Sequence, residues 1–323
     1  MQKYLTKIPE YMPKFDGKYK GLTRVAFFIY NNIEQAQSGS IYGSTGFLVS
    51  MPSVINGQIF LYAVTNRHCI QGINPVLRFN KKDGGLHTVQ TVESQWHYID
   101  NHYDIAIFPL VLDTNTIDLT HIDTSFFLTE DSVSKEEIDV GEDVFMVGRF
   151  VNHDGGSNIN KPSMRFGQIS IMNANIIHPY AKYPNLMYKE NQEAVLLDMR
   201  ARTGYSGSPV FVYRTQGSIF HENLKNNEPE NLSFLTPYHF MRLLGIQWGI
   251  APDEIDQNSN SFSQEIASVN PKNADDLKNM SIVCPAKYIL EVLNKKELKE
   301  NRDNCNAELL KDRDNAIELT SNS

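Results

Sequence analysis

The sequence predicts an all-β fold with a helix near its carboxyl end, and three observations carry that prediction. Short apolar runs of strand length recur along the chain and are split by turn residues. The glycine-rich serine loop Gly204-Tyr205-Ser206-Gly207-Ser208 leads into the β-rich run Pro209-Val210-Phe211 rather than into a helix. Near the end, Pro285 precedes a stretch in which Ile289, Val292 and Leu293 share one helical face.

Arg24 to Tyr30 reads as the first strand and Ser40 to Met51 as the second. Asn56-Gly57 is a two-residue hairpin turn that connects Val54-Ile55 to the run Phe60-Leu61-Tyr62-Ala63-Val64. Pro75 to Phe79, His87 to Val92 and Asp104 to Leu110 complete a first barrel. Val140 to Phe150, Arg165 to Met172, Ala194 to Arg200, Pro209 to Tyr213 and Leu243 to Trp248 continue the β pattern. Three polar stretches, Asn152 to Ser163, Gly217 to Tyr238 and Ala251 to Asn279, read as long loops on the surface, with binding of a partner or substrate as the alternative. Lys295 to Ser323 is charged and only weakly periodic through Leu298, Leu309, Leu310 and Ile317, so it is expected to be a flexible tail, with a docking helix as the alternative.

A chain of 323 residues can bury a sizeable core as one two-lobed unit or as two domains. A net charge of −8 leaves no basic excess for nucleic acid. Three scattered cysteines, Cys69, Cys284 and Cys305, fit reduced thiols in a cytoplasmic protein. The amino terminus, Met1 to Pro9, has no apolar stretch of signal-peptide length, and no run elsewhere is long enough to span a membrane.

The chemistry concentrates in three places. Glycines on either side of Ser206 let the backbone curl until successive N–H groups converge beside the hydroxyl, which is the geometry that receives a developing oxyanion. A serine hydroxyl needs a base, and a base needs a group to orient it. His68 stands at the end of the apolar run that begins at Phe60, and Asp104 opens the run Asp104-Ile105-Ala106-Ile107. Asp100 is a rival for the orienting acid. His97 and His102 suggest a metal site but lack the tight ligand spacing of zinc motifs.

These motifs resemble those of the trypsin-like (chymotrypsin-fold) serine peptidases. The family's Ala-His-Cys signature is similar to Asn66-Arg67-His68-Cys69, its Asp-Ile-Ala-Leu to Asp104-Ile105-Ala106-Ile107, and its Gly-Asp-Ser-Gly-Gly-Pro to Gly204-Tyr205-Ser206-Gly207-Ser208-Pro209. Gly245-Ile246-Gln247-Trp248-Gly249 looks like the family's substrate-binding strand, and the pairing of these motifs is closest to bacterial glutamyl endopeptidases and other non-zymogen members. The resemblance implies two six-stranded antiparallel β-barrels with a C-terminal helix that packs on the second. The first barrel would span residues 20–115 after an extension over 1–19. A linker over 116–135 would lead to a second barrel over 136–295, with the tail at 296–323.

The resemblance further implies a serine endopeptidase with His68, Asp104 and Ser206 as its catalytic residues. Backbone N–H groups of the Gly204-Tyr205-Ser206 segment would form the oxyanion hole. Arg200, Ala201, Gln247, Trp248 and Gly249 would line the substrate pocket, and no metal or other cofactor is required. Protein or peptide would be the substrate, with a regulatory protein partner engaging the long loops or the tail. Tyr205 replaces the aspartate by which zymogen members are activated, and Gln247 replaces the histidine with which glutamyl endopeptidases read an acidic side chain. Cys69 lacks the partner cysteine that secreted relatives have on the preceding hairpin. The alternative is a catalytically silent scaffold of the same fold that binds a protein.

Overall fold

The computed structural model describes residues 6–7, 21–99, 103–177, 191–200, 204–214, 240–250 and 280–321. The expected loops Gly217 to Tyr238 and Ala251 to Asn279 lie outside the described residues.

The first sheet contains β1 (Thr6–Lys7), β2 (Ala26–Tyr30), β3 (Ser44–Pro52), β4 (Gln58–Thr65), β5 (Val76–Asn80), β6 (Leu86–Gln90), β7 (Ala106–Leu110) and β8 (Ile122–Asp123). Six of these run antiparallel in the order β7-β4-β3-β2-β5-β6. The two-residue β1 also pairs with β4, while β8 adds to β3 in parallel. The sheet curls back toward β7 through a bridge between His97 and Ile107, whose backbones exchange bonds of 2.7 and 2.8 Å. The second sheet, β9 (Asp143–Gly148), β10 (Ser163–Ile177), β11 (Asn191–Asp198), β12 (Pro209–Arg214), β13 (Phe240–Ile250) and β14 (Ser281–Pro285), closes into a barrel in the order β10-β11-β14-β13-β12-β9. The helices are α1 (Ile33–Ser38), α2 (Glu130–Lys135), α3 (Ala286–Leu293) and α4 (Lys296–Ser321).

Strand periodicity explains how the barrels meet. Successive side chains point to opposite faces, and the central strands are apolar on both. From β4, Leu61 and Ala63 join a cluster within the first barrel, while Phe60, Tyr62 and Val64 join a cluster shared by both barrels. From β9, Val144 and Met146 pack within the second barrel while Phe145 and Val147 face the shared cluster. The shared cluster also takes in Trp248 and most of α3. Helix α3 therefore lies on the seam, with Tyr288 stacked on Tyr103 of the first barrel at 3.5 Å between ring centres.

Two elements depart from expectation. Ser281-Ile282-Val283-Cys284 supplies β14, the sixth strand of the second barrel, where the sequence suggested only the approach to a helix. Pro285 ends the strand and caps α3. The second departure is the expected charged tail, which is helical over Lys296–Ser321. Its packed stripe is Leu298, Arg302 and Cys305, all buried, followed by half-buried Leu309. That i, i+4, i+7, i+11 spacing is helical, but an arginine inside the stripe hides it from a count of apolar residues. The Arg302 guanidinium donates to the Tyr62 hydroxyl at 3.0 Å and to the Leu293 carbonyl at 2.8 Å.

The loop Asn152 to Ser163 is fastened to the first sheet by buried polar groups. Arg149, wholly buried, pairs with Asp154 at 2.5 Å and lies 4.8 Å from the Tyr30 ring centre. Arg78, also wholly buried, donates to Asn160 at 2.7 Å and lies 4.7 Å from the same ring centre. Removing one partner of a buried ion pair strands the other charge. Asp154→Ala is therefore expected to destabilise the fold by about 3–5 kcal/mol, measured by urea unfolding followed by circular dichroism.

Candidate active site

The strand β4 delivers its last residue, Thr65, to a short 3₁₀ turn over Arg67–Cys69. Asp104 precedes β7, the strand paired with β4, and is fully buried. A buried carboxylate needs donors, and the turn supplies them. The His68 backbone N–H donates to Oδ1 at 2.9 Å, and His68 Nδ1 lies 2.5 Å from Oδ2. The Asn66 side-chain amide donates to the Asp104 carbonyl at 2.8 Å and fixes the backbone beneath the carboxylate. Burial by itself pushes the His68 imidazolium toward proton loss, but the Asp104 charge, with a smaller contribution from the neighbouring Cys69, outweighs it and holds the imidazole pKa well above its usual value. On the other side of the ring, Cys69 Sγ lies 3.5 Å from His68 Nε2.

The serine loop reaches the first sheet from the second barrel. Gly204 and Gly207 adopt φ of 99° and 85°, backbone angles that favour glycine. At Gly207 a side chain would also overlap the Thr45 carbonyl and the Thr65 hydroxyl, so only glycine allows so close an approach. The Thr45 N–H donates to the Ser206 carbonyl at 3.0 Å, and Thr65 Oγ1 donates to the Thr45 carbonyl at 2.7 Å. The loop thus docks on Thr65, three residues before His68. Ser206 is half-buried. Tyr205 is fully buried, its phenol pairs with the Ser163 hydroxyl, and the Arg165 guanidinium sits 5.0 Å from its ring centre.

The loop is tied to the expected substrate strand as well. Gly207 N–H donates to the Gln247 carbonyl and Gln247 N–H to the Ser208 carbonyl, both at 2.9 Å. Gln247 and Trp248 are buried, and the Gln247 amide donates to the Gly249 carbonyl at 2.8 Å. Arg200 is exposed just beyond β11, and Ala201 lies outside the described residues. So do Asp100 and His102. His97 pairs with Glu297 at 3.4 Å, and no cluster of three metal-ligating side chains occurs among the described residues. Thr45, Thr65 and Asn66 join the site without a role legible in the sequence: Asn66 stands inside the motif around His68, and the two threonines show only polarity beside apolar runs.

The profile of the trypsin-like peptidase domain family matches residues 43–219. The MamO protease domain from Magnetospirillum magneticum aligns with 85% of this chain and 98% of its own, at 14% identity and a TM-score of 0.49. An inactive form of Rv3671c from M. tuberculosis H37Rv aligns with 89% of this chain and 96% of its own, at 15% identity and a TM-score of 0.45. The HtrA-type protease AlgW, solved with a decapeptide, aligns with 84% of this chain and 63% of its own, at 14% identity and a TM-score of 0.40. No curated protein matches the chain.

The raised His68 pKa sets a pH dependence. The folded state binds this proton more tightly than the unfolded chain, so the stabilisation is complete below the unfolded value of about 6.5 and is lost as pH rises through the higher folded value. Urea unfolding of the wild type and His68→Gln between about pH 5.5 and 9 is expected to show a difference in stability that is largest at the acidic end and shrinks with rising pH. A difference that grows with pH would show that Asp104 does not stabilise the imidazolium.

Proposed function

The chain belongs to the trypsin-like peptidase family, and from that premise we propose that it is a serine endopeptidase in which Ser206 attacks the peptide carbonyl, His68 accepts the serine proton and Asp104 orients the imidazole. The observation that carries this reading is the 2.5 Å contact between His68 Nδ1 and the buried Asp104 carboxylate. It fixes the ring so that Nε2, the nitrogen a base needs, faces away from the acid. The hydroxyl and Nε2 would close to hydrogen-bonding distance when substrate binds, since such contacts are often long without it. The backbone N–H groups of Gly204 and Ser206, with Tyr205 between them, would receive the oxyanion, each donor contributing about 3–4 kcal/mol to the transition state. An acyl-enzyme forms on Ser206 and water releases it.

Regulation follows from Tyr205. A buried phenol bonded to Ser163 cannot pair with a newly cut amino terminus, which supports control by a partner or a conformational change instead of zymogen cleavage. The free thiols Cys69, Cys284 and Cys305 support a cytoplasmic setting. No helix among the described residues is long and apolar enough to cross a membrane. The glutamyl-endopeptidase likeness becomes a proposal on specificity: Arg200, exposed just beyond β11, would read an acidic side chain in place of the missing histidine. Peptides with Glu at the cleaved position are expected to be cut faster than those with Lys, and Arg200→Gln to narrow that preference, as read from kcat/KM.

A silent scaffold is the second reading, favoured by the thiol beside Nε2. A fluorophosphonate probe separates the two. Labelling that disappears in Ser206→Ala and falls at least about 1,000-fold in rate in His68→Ala supports the peptidase. Absence of labelling, with or without candidate partners, supports the scaffold. Peptidase activity is expected to rise with pH as His68 loses its proton, with a midpoint above the usual imidazole value.

A further inference from the structure

We infer that Thr45 is the positioning residue of the oxyanion loop, a two-point clamp by which the first barrel holds the nucleophile segment of the second; this rests on the serine-peptidase reading of the same site. Thr45 stands at the start of β3, is fully buried, and has its hydroxyl, its N–H and its carbonyl all hydrogen-bonded. Its hydroxyl donates to the Gly204 carbonyl at 2.7 Å and accepts from the Arg149 N–H at 2.9 Å. Its own N–H donates to the Ser206 carbonyl at 3.0 Å, and its carbonyl accepts from Thr65 at 2.7 Å.

The placement of these bonds gives the clamp its function. Holding the Gly204 carbonyl fixes the Gly204–Tyr205 peptide plane, and holding the Ser206 carbonyl fixes the Ser206–Gly207 plane. Between them lies the Tyr205–Ser206 peptide, whose N–H is one of the two oxyanion donors. With both neighbouring planes tied to one residue, that N–H keeps its direction. Gly204, at φ 99°, is the point where the loop would otherwise swing, because glycine crosses between backbone basins at little cost. The hydroxyl also joins a third segment. Arg149, which gives its N–H to Thr45, anchors the loop that begins there through its ion pair with Asp154. A displacement of that loop would therefore reach the oxyanion donors through Thr45.

The hydroxyl and the backbone N–H of Thr45 can be separated experimentally. Thr45→Val keeps the branched shape and the N–H but deletes the bonds to Gly204 and Arg149, whereas Thr45→Ser keeps the hydroxyl. With a chromogenic peptide substrate and active-site titration, Thr45→Val is expected to lower kcat about 10- to 100-fold with KM within about twofold, since removing an oxyanion donor outright costs about 100- to 1,000-fold. Thr45→Ser is expected to stay within about threefold of wild type, a rescue that simple loss of packing would not give. If the valine variant fails to fold, Thr45→Cys, with a weak donor, is expected to fall between the two. An active wild type whose kcat is unchanged by Thr45→Val, or lowered equally by Thr45→Ser, overturns the clamp alone. A wild type inert to both substrate and fluorophosphonate overturns the clamp together with the reading beneath it.

Discussion

A carboxylate without solvent must take its hydrogen bonds from the protein, and the burial of Asp104 is the constraint around which the site is built. Its two oxygens are met by the backbone and the ring of His68. This requires β4 and β7 to run side by side and the chain to turn tightly after Thr65. Behind Asp104, Tyr103 stacks on Tyr288, whose hydroxyl donates to Glu193 at 2.7 Å. Glu193 in turn pairs with Lys287 at 2.8 Å. The acid is thereby braced by α3 and by a strand of the other barrel, and the seam and the candidate site form one structure.

The serine loop obeys a different constraint, that of close approach between two backbones. Gly207 lets the loop lie against Thr45 and Thr65 with nothing between them. Gly148 plays a similar part on the opposite side, where a side chain would overlap Ser208 and crowd Tyr205. Tyr205 occupies the volume so created and replaces a charge with a buried ring and a single hydroxyl contact. The loop is therefore anchored by packing and neutral hydrogen bonds. These depend on pH far less than an ion pair with an amino group would.

The legible parts of the fold were those whose signal is local. Strands such as Phe60 to Val64 and Val144 to Val147 are buried on both faces, so each shows as an unbroken apolar run. β14 was missed because four residues beside a proline carry too little period to tell a strand from the approach to a helix. α4 was misread because its buried stripe includes Arg302, whose contacts are with the Tyr62 hydroxyl and a carbonyl. Polarity in the sequence registers the charge and says nothing of the partners waiting for it.

By itself the sequence determined the residue types and their order: glycines where the chain must turn left-handed, an imidazole after one strand, a carboxylate before another, and a serine in a loop. Those are properties of single residues and of short-range periodicity, and they are written along the chain. Only the tertiary structure decided that His68 meets Asp104, that Gly207 rests on Thr65, and that Thr45, an unremarked residue in a glycine-rich run, holds the carbonyls on both sides of Tyr205. These contacts join residues 36 to 161 positions apart. A hydrogen bond depends on where its two ends sit in space, and sequence separation carries almost none of that information.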